Sequence, residues 1–247
     1  MARPSADDIE LDTGADWRRR VVGRSLRTAT ERSVDRGMSL ISAALTVLER
    51  SNGEDITVQD IADEAGQSLR TLYQYFESKD DLLLAVFEET MRTYAQMITG
   101  AIEELTDPFE RLAGAMVAAI SMSERRGSGV DRGLARLRLK LSEVQPELVG
   151  RAQAAMLALI RGLIEDAVAA GRVHVEDPEG ATFAVLSLNA AYITTGMLGN
   201  DAGARRPEPE DIVAFGLRGL GAELKDGWFE AVSSRLRLPK PTRRARR

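Results

Sequence analysis

At 247 residues and 44% hydrophobic, the chain is long enough to bury one large or two modest cores. It contains no cysteine, which excludes disulfides, thiolate metal sites and a cysteine nucleophile and fits a reducing, cytoplasmic setting. The net charge of −5 speaks against a nucleic-acid partner only as a sum, because phosphate attraction acts locally, within a Debye length of about 10 Å.

Met1 to Asp16 are polar and acid-rich and lack the apolar stretch of a signal peptide. Arg18, Arg19, Arg20, Arg24, Arg27, Arg32 and Arg36 then crowd one basic region. Residues 1–23 read as a mobile extension of mixed charge, to which Trp17, Val21, Val22 and Leu26 could add an amphipathic turn or two. Met38, Ile41, Leu45 and Leu48 repeat at helical spacing until Asn52-Gly53, a helix stop. Thr57 caps a helix with Asp60 at its third position, a capping box, with Ile61 and Ala62 facing inward and Ala65-Gly66 ending it. Ser68 caps the next helix, to about Phe76, and Ser78 with Asp81 caps a longer one carrying Leu82, Val86, Phe87 and Tyr94. Residues 57–82 thus hold three helix starts in close succession, the middle helix presenting polar and aromatic side chains. That is the arrangement of a helix-turn-helix that enters the major groove of double-stranded DNA.

Beyond Gly100 the helices lengthen, and proline marks their first turns at Pro108, Pro146, Pro178 and Pro209. Gly127-Ser128-Gly129 reads as a loop, Gly171 as a helix stop and 199–206 as a polar break. The longest apolar runs, such as 154–160, are far too short to span a bilayer, so no membrane partner is expected. After Glu230 the chain carries Arg235, Arg237, Lys240, Arg243, Arg244, Arg246 and Arg247 without an acid, either a solvated end or a phosphate-seeking one. The expected fold is all-α: a helix-turn-helix domain at 24–84, a larger helical domain at 85–232 and a basic tail at 233–247. The helix at 78–99 bridges the two domains.

The helix at 38–50, followed by Thr57-Val58, Ile61-Ala62, Ala65-Gly66, Ser68, Thr71-Leu72-Tyr73, Tyr75-Phe76, Ser78-Lys79 and Leu82, resembles the DNA-binding domain of the TetR family of regulators. The motif is dense and ordered over 38–84, whereas the rest of the chain is similar to the family only in size, helix content and the turn at 171–179. The resemblance implies base contacts from the positions of Leu69, Arg70 and Tyr73 and backbone contacts from Thr57, Thr71, Tyr75 and Lys79. Ser68 and Gln74 join this DNA-binding set by position on the reading helix. Gln67 departs from the small apolar residue usual in the family and puts the tilt of the reading helix in question. Arg24 and Arg27 could form a minor-groove arm or a solvated helical face.

For the larger domain the resemblance implies a homodimer through the helices near 178–198 and 208–222, with Phe183, Leu186, Ala190, Ile212, Phe215 and Leu220 as the seam. Two-fold symmetry would set the reading helices about 34–36 Å apart, or a multiple, over a near-palindrome. An effector pocket would be lined by Met116, Ile120, Leu139, Met156, Leu159, Leu163, Leu186 and Tyr192, with Asn189 as its polar anchor. Each of these residues fits a plain core equally well. Such a pocket suits a hydrophobic small molecule: a lipid, an acyl thioester or a drug-like compound. The chain is expected to act as a ligand-responsive repressor, without a cofactor or metal.

Other classes find little support. His174 is the only histidine and sits in a charged turn, and no carboxylate–histidine cluster has metal-ligand spacing. Gly216, Gly219 and Gly221 follow no strand, so they form no dinucleotide fingerprint and the chain is not read as an enzyme. A helical dimer that binds a small molecule or protein without reading DNA remains as the alternative, as does a DNA binder with a fully packed second domain.

Overall fold

The computed structural model describes residues 16–54, 56–126, 129–144, 146–198 and 205–238, with side chains from residue 33 onward except at 125, 126, 129–131 and 144. Residues 1–15, most of the predicted loop at 127–129, the core of the break at 199–204 and the tail from 239 lie outside the described residues, as do the side chains of Arg24 and Arg27. The chain is all-α, with no strand among the described residues.

The first helix, α1 (Asp16–Ser51), is far longer than its apolar stripe, because nothing from Trp17 to Arg36 is a proline. Its buried face is Leu40, Ala43, Ala44, Val47 and Leu48, one position off the expected stripe; Met38 is exposed and Ile41 and Leu45 are half-buried. Small Ala43 and Ala44 let neighbouring helices approach, which a search for large apolar residues overlooks. The helix stops where Asn52 (φ 51°) and Gly53 (φ 82°) turn left-handed.

Next come α2 (Val58–Glu64), α3 (Leu69–Tyr75) and α4 (Lys79–Ala101), capped by Thr57, Ser68 and Ser78. The larger half holds α5 (Pro108–Arg126), α6 (Gly129–Val144), α7 (Pro146–Ala152), α8 (Ala154–Ala169), α9 (Pro178–Leu198), α10 (Pro209–Gly219) and α11 (Trp228–Ser233). All four marked prolines open a helix, and Gly171 (φ 65°) turns the chain after α8.

Two apolar clusters form the core. One is built from α4, α5, α8, α9 and α10 around Ile102, Leu112, Met116, Ile120 and Ile164. The other gathers Leu40, Leu48, Ile61, Leu72, Leu82 and Val86 of the first four helices. It also takes in Leu134, Leu137 and Leu141 of α6 and Val149 and Ala152 of α7. The reading-head core is therefore completed by residues half a chain away, and α1 with α6 is the broadest helix pairing among the described residues.

Helix α9 corrects the expectation that no segment could span a bilayer. By length and composition it is apolar enough, with a mean hydropathy of 1.3, yet only 22% of that stretch is buried. It packs on α5, α6, α8 and α10, and its outward face stays apolar, with Phe183 70% exposed, as is Phe215 of α10 at 69%.

Arg235 and Arg237, the two C-terminal arginines within the described residues, are paired with acids of the fold. Arg235 pairs with Glu110 at 2.7 Å. Arg237 pairs with Glu103 at 3.6 Å and with Glu104, and its amide donates to the Ala101 carbonyl. Both sit at the end of α4 remote from Ser78, where they hold the chain's end against acids.

Candidate functional site

The reading helix α3 is organised from its first residue. Ser68 Oγ accepts the Thr71 amide at 3.1 Å and lies 2.9 Å from Thr71 Oγ1. Gly66 (φ 62°) supplies the left-handed turn before it, and Leu72, fully buried, fixes the helix onto Leu40, Leu48 and Ile61. With Leu72 inward, Arg70, Tyr73 and Gln74 are turned to solvent, Tyr73 being 51% exposed. Arg70 makes no ion pair among the described residues. Leu69, Thr71 and Tyr75 are half-buried, with Leu69 and Tyr75 packed against the core. The two tyrosines therefore differ: Tyr75 covers a core edge, and Tyr73 stands free of one.

Thr57 completes the expected capping box, accepting the Asp60 amide at 3.1 Å while its own amide and hydroxyl donate to Asp60 Oδ2 at 3.1 and 2.6 Å. The Thr57 hydroxyl first, and its amide second, hold the Asp60 carboxyl below its ordinary pKa. This contribution is complete above the ordinary carboxylate range and is lost as pH falls through the lowered value. Lys79 donates to the Ile56 carbonyl, and two of its three N–H groups remain for a phosphate. Gln67 is half-buried with its Oε1 unpartnered, while its backbone N–H donates to the Ala62 carbonyl and keeps the turn closed.

Replacing Ser68 by alanine removes the cap of α3 and is expected to cost about 1 kcal/mol of stability, read as a lower urea midpoint at unchanged slope. An unchanged midpoint would mean that packing of Leu72 alone holds the helix.

A cavity of about 160 Å³ opens between α4, α5, α6, α8 and α9. Of the expected lining, Met156, Leu186 and Asn189 reach it. Leu139 does not, being 53% exposed on the outer face of α6. Met116, Ile120 and Leu163 are sealed in the core, Leu159 packs on that core, and none of them faces the cavity. Tyr192 lies elsewhere, its hydroxyl donating to the Pro207 carbonyl at 3.0 Å and its ring under the Arg206 guanidinium at 4.0 Å. Burial raises its pKa, and the nearby Arg206 charge opposes that rise.

Several lining residues escaped the sequence reading. Phe87, Met91, Tyr94 and Ile98 form one stripe of α4, so the bridging helix is also a cavity wall. Their spacing of four, three and four residues was a usable signal. Arg138, one residue before the rejected Leu139, also lines the cavity. Asn189 is 5% exposed, and its Oδ1 has no hydrogen-bond partner.

Of the expected seam, Phe183 and Phe215 are exposed, whereas Leu186 and Ala190 line the cavity and Ile212 packs on the core. Leu220 is 5% exposed, held inward by the turn after α10. A shallow groove between α9 and α10 runs beside Phe215 past Gly180, Ala184 and Gly216.

Residues 40–86 match the family model for bacterial regulatory proteins of the tetR family. Over 84 residues the chain is 39% identical to the HTH-type transcriptional regulator HbdR of Aromatoleum sp. (strain CIB), covering 34% of this chain and 37% of that one. Over 89 residues it is 33% identical to the HTH-type transcriptional regulator BetI of Brucella canis, covering 36% and 45%. The match thus spans less than half the length of these curated relatives. Among solved structures, RolR in complex with resorcinol superposes with a TM-score of 0.60 at 20% identity, over 86% of this chain and all of that one. FadR of Bacillus subtilis in complex with stearoyl-CoA gives 0.58 at 23% identity, over 74% and 98%. The structural likeness carries the fold along the chain, and the sequence likeness carries its reading head. Residues 40–86 therefore carry a DNA-binding region of the tetR family, and the chain as a whole shares the fold of these solved structures.

Proposed function

We propose that the chain is a cytoplasmic, sequence-specific DNA-binding regulator that acts as a homodimer and releases its operator when a small molecule fills the cavity. The observation that carries this reading is α3: Leu72 is fully buried beneath it while Arg70, Tyr73 and Gln74 project outward from the family's motif. Arg70 and Gln74 have the donors to read base edges, and Thr71, Tyr75, Lys79 and Thr57 surround them with groups able to set the register on phosphates. Selection of binding sites from random duplex DNA at near-physiological salt, with Tyr73→Ala as control, tests it. A near-palindrome, bound more weakly and with relaxed specificity in the control, is expected. Binding without a consensus would overturn sequence-specific recognition.

Dimerisation is supported by α9. A helix apolar on all sides belongs in a core, and α9 is mostly unburied in a single copy. A second copy that lays its α9 and α10 across Phe183 and Phe215 would cover that face. The double replacement Phe183→Glu and Phe215→Glu is expected to yield monomers by light scattering and to lower operator affinity at least tenfold. A dimer that survives both charges would place the interface elsewhere.

Responsiveness is supported by the walls of the cavity. Helix α4 contributes Phe87, Met91, Tyr94 and Ile98 to it and begins at Ser78, beside the reading helix. Helix α6 contributes Leu134, Ala135 and Arg138, and its Leu137 and Leu141 pack in the reading-head core. A ligand acts through these helices only by binding one separation of the two reading heads better than the other. RolR and FadR are each solved with a small molecule bound, resorcinol in one and stearoyl-CoA in the other. A dimer on a promoter blocks polymerase, so repression relieved by ligand is the expected mode.

A further inference from the structure

Resting on that regulator reading, we infer that the cavity selects a single-ring aromatic acid carrying a hydroxyl group, and not a long acyl chain. Size is the first reason. The cavity is about 160 Å³, and an apolar cavity of roughly 150 Å³ holds one benzene ring. A lipid tail needs a much longer channel.

Lining chemistry is the second reason. Met91, Met122, Met156 and Met197 line the cavity, four of the eight methionines in the whole chain. Thioethers are polarizable, adapt their shape and make favourable contacts with aromatic rings, so such a lining suits a flat ring.

Two polar groups define the substituents. Asn189 is buried on α9 and brings an unpartnered Oδ1 to this cavity. An unsatisfied buried amide is costly and is kept where something completes it. A ligand hydroxyl both donates and accepts, so it satisfies either end of the amide. Arg138 is half-buried in the cavity wall, and no carboxylate pairs with it among the described residues. By contrast Arg136, two positions away at the junction with the turn after α1, is paired with Glu54. No acidic side chain lines the cavity among the described residues. A guanidinium left unpaired in an apolar wall favours an anion, and its planar fork matches a carboxylate.

Titration calorimetry on the 247-residue chain tests this with the 2-, 3- and 4-hydroxybenzoates, benzoate, phenol and palmitate as probes. The best hydroxybenzoate is expected to bind about tenfold or more tightly than benzoate, which lacks the hydroxyl, and than phenol, which lacks the charge. Arg138→Gln should erase the preference over phenol. Asn189→Leu should erase the preference over benzoate while raising the melting temperature of the ligand-free protein, since it removes an unpaired buried polar group. If Asn189→Leu fails to fold, the unaltered protein and Arg138→Gln still decide the matter. Palmitate binding in place of the ring acids, equal affinity for phenol and hydroxybenzoate, or no ring acid bound would each overturn the inference.

Operator binding, measured in parallel, separates this inference from its parent. Hydroxybenzoate bound with the expected selectivity but without effect on DNA affinity would leave the cavity chemistry standing and remove ligand-responsiveness. Intact operator binding with no ring acid bound would remove the cavity chemistry and leave the DNA-reading function standing.

Discussion

Arg70→Ala is expected to cost about 1–3 kcal/mol at each reading head, hence roughly twice that for a dimer on its selected operator. The residue is exposed on α3, unpaired, and held in place by a helix whose opposite face is locked by Leu72. An arginine so placed can donate two hydrogen bonds to the major-groove edge of a guanine. The loss should therefore fall on the selected site far more than on random duplex, and specificity should relax at one position in each half-site. Tyr73→Ala should behave similarly but more weakly, because the ring offers contact area and a single hydroxyl. Titrations against both DNAs at two salt concentrations check this. A uniform loss on all sequences, with a shallower salt dependence, would make Arg70 a phosphate contact instead.

Gly53→Ala should be the most damaging substitution outside the apolar core. Gly53 has φ 82°, a conformation that costs a side-chain-bearing residue about 1–2 kcal/mol. A methyl group there would lie 2.8 Å from Gly133 Cα and 3.0 Å from its carbonyl oxygen, where α6 meets the turn after α1. Neither partner is a flexible side chain, so the helices themselves must part, and the combined loss is roughly 2–5 kcal/mol by urea denaturation. The same junction is tied by Arg136, which donates to the Asn52 carbonyl at 3.0 Å and pairs with Glu54. Because α6 walls the cavity on its other side, the variant should also uncouple ligand binding from DNA affinity. Unaltered stability and an unaltered ligand response would together show that this contact transmits nothing.

The reading head was legible residue by residue because its signals are short-range. Thr57, Ser68 and Ser78 each bond an amide three residues on, and Gly66 needs only its own φ to make the turn. Four prolines likewise open four helices from local sterics alone. Fold class, the helix-turn-helix and the outward set Arg70, Tyr73 and Gln74 follow from these bonds of three or four residues and from one buried stripe.

The cavity and the junctions are of another kind, since they are set by how remote helices rotate against one another. A rotation of about 100° per residue is all that separates Arg138, in the cavity wall, from Leu139 in solvent. Met116 and Ile120 looked equally fit to line a pocket, and the helices packed around α5 seal them away. Gly53 was readable as a helix stop, but not its contact with Gly133, eighty residues on. Arg235 and Arg237 read as free charge until tertiary structure brought Glu110, Glu103 and Glu104 to them. Local hydrogen bonds and steric limits are written in neighbouring residues, whereas an empty space, a backbone-to-backbone contact and an ion pair across the fold exist only once distant helices have met.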